Sequence, residues 1–443
     1  MLVEISISNY RSIGDKQTLS LTPAPKQKEY PINIITEGAY DALNAIAIYG
    51  SNASGKSNLL RCISVMNEIV HISSRTSSTT KLPFDPFALK EGYVDKPTEF
   101  EIVFVKDEKR YRYGFSYTQS NIIREWLYRK NVGREVPLFL REDDIIDVRS
   151  GFQGSKKLID TAVEATRDNA LFLSQCDSLN VEEAVSIMAW FDTLHVINGL
   201  HTEEDPFTTV NIWKQPGYRN LIYEYFNHIG LDIHGIDISI ENIDEKDMPS
   251  DMPASLKKLL HGKTAYTIQS LHRYYSQDNQ PMDKIVSWDF DKHESEGTKK
   301  ALELAGPLLK TLVDGGIIVI DEIEAKLHPI MTLNLINMFL DPKCNPKHAQ
   351  LIFATHDTNL LSYSKLRRDQ IYFTEKNKWE STELFSLSDF VYFNEKNGEI
   401  VEEKERKDTD KEKRYLEGRY GAIPLLGDFK NQINKMLWQS EEN

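Results

Sequence analysis

The stretch Gly50-Ser-Asn-Ala-Ser-Gly-Lys-Ser57 constrains this chain more than any other, because its spelling and its flanks agree. Before it, Ala45-Ile-Ala-Ile-Tyr49 is apolar and β-branched enough for a buried strand; after it, Asn58 to Met66 carries the apolar spacing of a helix. Strand, glycine loop and helix N-terminus together make an anion cradle, in which loop N–H groups and the helix dipole face phosphates. Lys56 is spaced to reach the β- and γ-phosphates of a nucleotide, and the Ser57 hydroxyl to sit on Mg2+. The fold class that follows is α/β.

The other half of such a site is written far downstream. Gly315-Gly-Ile-Ile-Val-Ile-Asp321-Glu322 reads as a short apolar strand ending in two carboxylates. Two are needed because Asp321 holds the Mg2+ shell while Glu322 orients or deprotonates the attacking water. Upstream, Ser295-Glu-Gly297 opens a helix read from Lys299 to Leu312, with a kink expected at Gly306-Pro307. Downstream, Gln350-Leu-Ile-Phe-Ala-Thr355-His356-Asp357 reads as another buried strand with a polar end. Between them lies Glu324-Ala-Lys-Leu-His328-Pro329. Taken singly, a Ser-x-Gly is an N-cap, a strand-end histidine is a surface group and His-Pro is a turn. Their order together is what carries information.

That order resembles the ABC-type ATPases, in particular the branch of SMC, RecF-like and OLD-like proteins. The resemblance implies an ABC-type P-loop NTPase head with an antiparallel β-lobe and a mixed or helical insertion. It implies that Gly50, Asn52, Ser54, Gly55, Lys56, Ser57 and Asn58 bind ATP, with Ser57 and Asp321 on Mg2+ and with Glu322 and His356 in catalysis. In that family the serine-glycine signature binds a γ-phosphate held by the other subunit, a role that falls on Ser295 and Gly297; the commoner double glycine is lacking here. The opening Leu2 to Ile13 alternates as a half-buried strand and breaks at Asn9-Tyr10-Arg11-Ser12, which resembles the start of RecF- and SMC-like heads and puts Arg11 near the nucleotide. Gln175 is the candidate for the family's glutamine loop.

The expected organisation is a split head. Residues 1–175 hold the P-loop half, with strands near 99–105, 111–117 and 122–128 as a meander; 176–290 form a short insertion; 291–395 hold the signature, acidic strand and switch histidine; 396–443 are a charged tail with a C-terminal motif. No sustained heptads mark 176–290 as a coiled-coil arm. Its residues His272 to Tyr275, with Trp190 and Phe191, read either as a stacking platform for single strands or as core packing. Three scattered cysteines (Cys62, Cys176, Cys344) argue for a reducing compartment and against a disulfide framework or zinc site. The N-terminus lacks a basic-then-apolar leader pattern, and the longest apolar runs fall well short of the ~20 residues of a membrane span. A cytoplasmic protein without a membrane partner is expected. A net charge of −14 argues against a surface that coats nucleic acid generally, and a local basic groove is left open.

The motif Tyr415 to Leu426 resembles the C-terminal ends of bacterial RloA-like ATPases, which with OLD-like relatives are associated with anti-phage defence. The expectation is a dimeric, or higher even-numbered, ATP-sandwich switch that controls a separate co-encoded effector; nucleic acid stays open as a partner. Two alternatives stand beside it. One is a RecF- or SMC-like DNA-repair ATPase, which shares the head motifs. The other is an OLD-like nuclease effector, for which Asp408-Thr-Asp410 has the metal-binding spelling but no strand before it. The motif at Asn9 to Ser12 and the large insertion set the chain apart from ABC transporter subunits.

Overall fold

The structure is a computed structural model. It describes residues 1–424, apart from 132, 199–206, 232, 244–247, 249–251, 254, 258–263, 397–398 and 405–408. Its centre is a six-stranded sheet in the order Leu194–Asn198, Ile317–Asp321, Gln350–Ala354, Ala45–Tyr49, Ile371–Lys376, Thr382–Ser386. The first five strands run parallel and the last is antiparallel. Parallel strands covered on both faces read as unbroken apolar runs, which is why 45–49, 317–320 and 350–354 lack polar alternation.

Side-chain alternation along these strands divides the core in two. Ile46, Ile48, Ile317, Val319, Ile352 and Ala354 point to one face, where they meet the helix Lys56–Ile72 through Leu59, Ile63 and Met66. Beyond that helix lies a seven-stranded antiparallel lobe, in the order Ile145–Val148, Val136–Glu142, Ile122–Lys130, Lys109–Tyr117, Thr98–Lys106, Leu2–Ser8, Gln17–Ser20. Ala47, Tyr49, Ile318, Ile320, Leu351 and Phe373 point the other way, onto the helices Glu296–Asp314 and Pro329–Leu340. The meander expected at 99–128 forms as part of the lobe. Gln350 ties lobe to sheet, its side chain bonding the N–H and C=O of Leu2 and the C=O of Leu43.

The boundary expected at 176 falls elsewhere. Helix Glu182–Phe191 belongs with the lobe: Trp190 stacks on Phe104 at 4.0 Å, and the Arg129–Glu183 ion pair is buried at 2.8 Å. Strand Leu194–Asn198 then joins the central sheet as an edge. What packs as an insertion is 207–290: helices Phe207–Trp213 and Pro216–Ile229, and an antiparallel sheet of Gly235–Asn242, Thr264–Tyr275 and Pro281–Asp289. The aromatic face considered above is thereby split. Trp190 and Phe191 are core, whereas Tyr274 and Tyr275 are exposed on a hairpin.

Helix Glu296–Asp314 continues through Gly306-Pro307, the point at which a kink is expected. The buried Thr209 hydroxyl donates to the Leu302 carbonyl and accepts from the Gly306 N–H, both at 2.8 Å. It thereby bridges two groups that a regular turn joins directly. Gly306 is required because a Cβ there would lie 2.4 Å from the Thr209 nitrogen. Thr209→Val, which keeps the shape and removes the hydroxyl, is expected to cost about 1–3 kcal/mol, and Thr209→Ser clearly less. Denaturant unfolding of the two variants checks this, and equal stabilities would contradict the bridge.

Candidate functional site

The parallel strands end at one edge of the sheet, and the chemistry-bearing residues collect there. Register puts the ends of Ala45–Tyr49, Ile317–Asp321 and Gln350–Ala354 side by side, so that Gly50, Asp321 and Thr355 follow from neighbouring strands. Gly55, at φ 111, turns the chain into helix Lys56–Ile72, and a Cβ on it would lie 2.1 Å from the Thr382 hydroxyl. Only glycine fits that turn.

The Lys56 ammonium is buried and donates to the carbonyls of Gly50 (2.7 Å) and Ser51 (3.1 Å). Burial pulls its pKa down to about 8, against the opposing attraction of Asp321, Glu322 and Glu324. Asp321 Oδ1 is buried with no hydrogen-bond partner. Glu322 sits at φ 52, a left-handed conformation sparse for a residue with a Cβ. Desolvation first, then the charges of Asp321 and Glu324, raise its pKa. His356 follows the strand Gln350–Ala354; burial and then Lys56 lower its pKa, so the ring is neutral at neutral pH.

A polar chain holds the other wall. Arg11, itself at φ 49, pairs with Asp85 at 2.8 Å and reaches Asn58 Oδ1 at 3.4 Å. Asn58 Nδ2 donates to the Ser12 hydroxyl at 2.8 Å, and the Thr382 hydroxyl lies 2.9 Å from both Ser12 Oγ and the Ser54 carbonyl. The Ser54 hydroxyl meets that of Thr374 at 2.7 Å. Arg11, Ser57, Asn58, Arg61, Val196 and Asp321 line one cavity of about 250 Å3.

Lys56, Ser57, Asn58, Arg11, Asp321, Glu322 and His356 are therefore brought together. Asn52 is exposed on the same loop, one residue on from Ser51, whose carbonyl holds Lys56. Gln175 is not brought there. It lies in helix Phe172–Ser178, where its neighbour Ser174 bonds the Val70 carbonyl at 2.6 Å, so it sits beside the far end of helix Lys56–Ile72, about 20 Å along its axis. The apolar residues Phe172, Leu173 and Cys176 anchor that short helix in the lobe core, which fixes its place. The position beside Asp321 belongs instead to Asn198, its register partner across the strand pair.

Ser295 and Gly297 form a separate, outward-facing edge. Ser295 is exposed and caps its own helix by accepting from the Thr298 N–H at 3.1 Å. A Cβ on Gly297 would lie 2.8 Å from the Lys326 carbonyl, and Lys326 pairs with Glu296 at 2.9 Å. The loop 324–328 thus runs along the serine-glycine turn, and the His328 ring caps helix Pro329–Leu340.

Glu324 is a residue that the motifs did not single out. Its Oε1 accepts from the His356 N–H at 2.6 Å, and its Oε2 is buried without a partner. Asp357 Oδ2 and the Tyr49 hydroxyl are likewise buried and unpartnered nearby, both coupled electrostatically to this pocket. A third acid, three residues after Asp321, was the signal available in the sequence.

This arrangement fits a magnesium–nucleotide group. The orphaned Asp321 oxygen, Ser57 on the same cavity and the Lys56 ammonium supply one carboxylate, one hydroxyl and one cation. Among the described residues no cluster of three or more His, Cys, Asp or Glu is placed to hold a metal alone. Mg2+ needs no such cluster, since substrate phosphates and water complete its shell.

Residues 45–362 match the family described as "AAA domain, putative AbiEii toxin, Type IV TA system". The chain belongs to that AAA-domain family. The fold here, a parallel sheet with a phosphate-binding loop at its edge and an antiparallel lobe on one face, fits an AAA domain. No curated protein matches the chain. Among solved structures, the SMC head domain from Thermotoga maritima is similar at 14% identity, covering 87% of this chain and 98% of that one, with a TM-score of 0.39. CbiO1 from Clostridium perfringens, part of the ABC transporter complex cbiONQ, is similar at 11% identity over 87% and 88%, with a TM-score of 0.29. Among the described residues no helix is long and apolar enough to cross a membrane.

The electrostatics of this AAA-domain site give a direct test without nucleotide. The His356 ring is expected to titrate below its ordinary midpoint, and Lys56→Ala to move that midpoint up by removing a neighbouring cation. Ring proton shifts followed by NMR against pH measure both; a midpoint unmoved by Lys56→Ala would separate the two residues.

Proposed function

We propose that the chain is an ATP-hydrolysing switch that works as a two-fold dimer and controls a separate effector. The observation that carries it is the gathering of Lys56, Ser57, Asp321, Glu322 and His356 at one strand edge, while Ser295 faces outward. Lys56 and the loop N–H groups hold the phosphates. Ser57 and Asp321 hold Mg2+, which when bound offsets phosphate charge. Glu322 orients the attacking water and takes its proton, a task helped by its raised pKa. His356 contacts the γ-phosphate as a neutral donor. Arg11 and Asn58 steady the loop from the opposite wall.

Dimerisation follows from where the serine-glycine turn lies. Ser295 spends its contacts on its own helix and on Thr298, and its surroundings are exposed. A second copy, placed isologously, sets each Ser295 against the other chain's Lys56. The partner-effector reading is supported by the family's description, which names a toxin within a two-component toxin–antitoxin system, and by the lack of a second catalytic cluster among the described residues. Asp410, half of the pair read for a nuclease, caps the helix Lys411–Leu416 by accepting from the Lys413 N–H at 3.0 Å; Asp408 lies outside the described residues. A strand, Glu399–Lys404, does precede the pair, contrary to the expectation from the sequence; the engagement of Asp410 as a helix cap is what favours the switch over the nuclease reading.

Glu322→Gln should bind ATP and hydrolyse it roughly 100-fold or more slowly. Lys56→Ala should weaken nucleotide binding itself. Phosphate release and fluorescent-nucleotide titration distinguish the two, and near wild-type turnover by Glu322→Gln would remove Glu322 from its role.

A mixed dimer carrying Lys56→Ala in one chain and Ser295→Arg in the other retains one complete site, so mixing two inactive chains, which makes about half of the dimers mixed, should restore about a quarter of the activity. Full turnover by a monomer, independent of protein concentration, would overturn the dimer. Metal-dependent cleavage of nucleic acid by the purified chain, lost in Asp410→Ala, would favour the effector reading.

A further inference from the structure

The C-terminal motif is left without a task by the site as described, and it lies beyond residues 45–362 of the family match. Helix Lys411–Leu416 packs against helix Asn359–Tyr363, which begins three residues after His356. The Glu412 carboxylate accepts from the Thr358 hydroxyl at 3.0 Å and from the Ser362 hydroxyl at 2.9 Å. These two hydroxyls lie one helical turn apart, so a single carboxylate grips both ends of the turn that follows the histidine.

The same short helix also reaches the phosphate-binding strand. The buried Tyr415 ring stacks on Phe373 at 5.4 Å and meets Tyr49 edge-on at 6.0 Å, and Tyr49 is the residue before Gly50. The Tyr415 hydroxyl donates to the Ala422 carbonyl at 3.0 Å, and Tyr420 packs on Phe373 at 5.5 Å. The Lys411 ammonium bonds the Leu366 carbonyl at 3.2 Å, beyond the switch helix. The Glu412, Tyr415 and Tyr420 side chains thus meet the segment after His356 and the strands on either side of the phosphate-binding loop.

We infer that Glu412 is a positioning residue for ATP hydrolysis, holding the segment His356-Asp357-Thr358 so that the histidine faces the phosphate edge. Two carboxylates then fix this segment from opposite sides: Glu324 through the His356 N–H and Glu412 through the Thr358 hydroxyl. A histidine at a strand end has no helical or sheet partner to set its backbone, so side-chain acceptors do that work. The inference rests on the proposed role of His356 in turnover.

Steady-state ATPase assays on the full chain test it. Glu412→Ala should lower kcat about 10- to 100-fold with the KM for ATP little changed, as expected when a group is misplaced rather than lost. Glu412→Gln, whose amide oxygen still accepts one hydroxyl, should recover most of the rate. In a His356→Ala background, Glu412→Ala should add little, because both act through one group. Thr358→Val combined with Ser362→Ala attacks the same contacts from the other side and should reproduce the kcat loss should Glu412→Ala fold poorly. Wild-type kcat in Glu412→Ala, or the same fold loss with and without His356, would overturn the inference and leave the ATPase proposal standing. A wild-type chain that turns over no ATP would overturn both.

Discussion

A cation buried at the ends of parallel strands is the constraint on which the site depends. Lys56 is taken out of water where helix Lys56–Ile72 meets the sheet, and burial alone disfavours its charge. Asp321, Glu322 and Glu324 offset that cost only because strand register brings their loop level with Gly50. Burial first, and then the charges of Asp321 and Glu324, raise the pKa of Glu322, and three acidic oxygens (Asp321 Oδ1, Glu324 Oε2 and Asp357 Oδ2) are buried without partners. Such a cluster is costly in an empty core and useful where phosphate and a divalent cation are bound.

The two-sided sheet explains how this edge is held. One face is sealed by helix Lys56–Ile72 and the antiparallel lobe, the other by the signature helix and the insertion. The phosphate-binding loop is thereby continuous with one half of the core and the serine-glycine turn with the other. Buried polar groups tie these parts together as well: Gln350 joins lobe and sheet, Thr209 bridges a turn of helix Glu296–Asp314, and Thr382 joins the last strand to the loop. Each is costly to leave unpaired, so these bonds fix the parts as firmly as the apolar faces do.

Much of the site was legible because its motifs are local. Gly50 to Ser57 needs only a strand, a turn and a helix start, and Asp321-Glu322 and His356 mark strand ends within a few residues of sequence. Gln175 was misplaced because chain order does not say beside which end of a helix a later helix docks; Ser174 and the apolar side of 172–176 settled that. What satisfies the turn at Gly306-Pro307 was not legible for a related reason, since the Thr209 hydroxyl that bridges it comes from nearly 100 residues away. Glu324 opens the loop after the acidic strand, and nothing local says that its carboxylate accepts from the His356 N–H at 2.6 Å.

The sequence by itself determined the α/β class, the phosphate-binding turn and the acidic strand, because glycine torsions, strand apolarity and helix spacing act over a handful of neighbouring residues. Tertiary structure alone decided which strand lies beside Asp321, that Ser295 is exposed and caps its own helix, and that Glu412 reaches Thr358 and Ser362 after His356. Those outcomes depend on register and on which apolar faces pair. Both are set by the packing of segments far apart in the chain, where local propensity has no say.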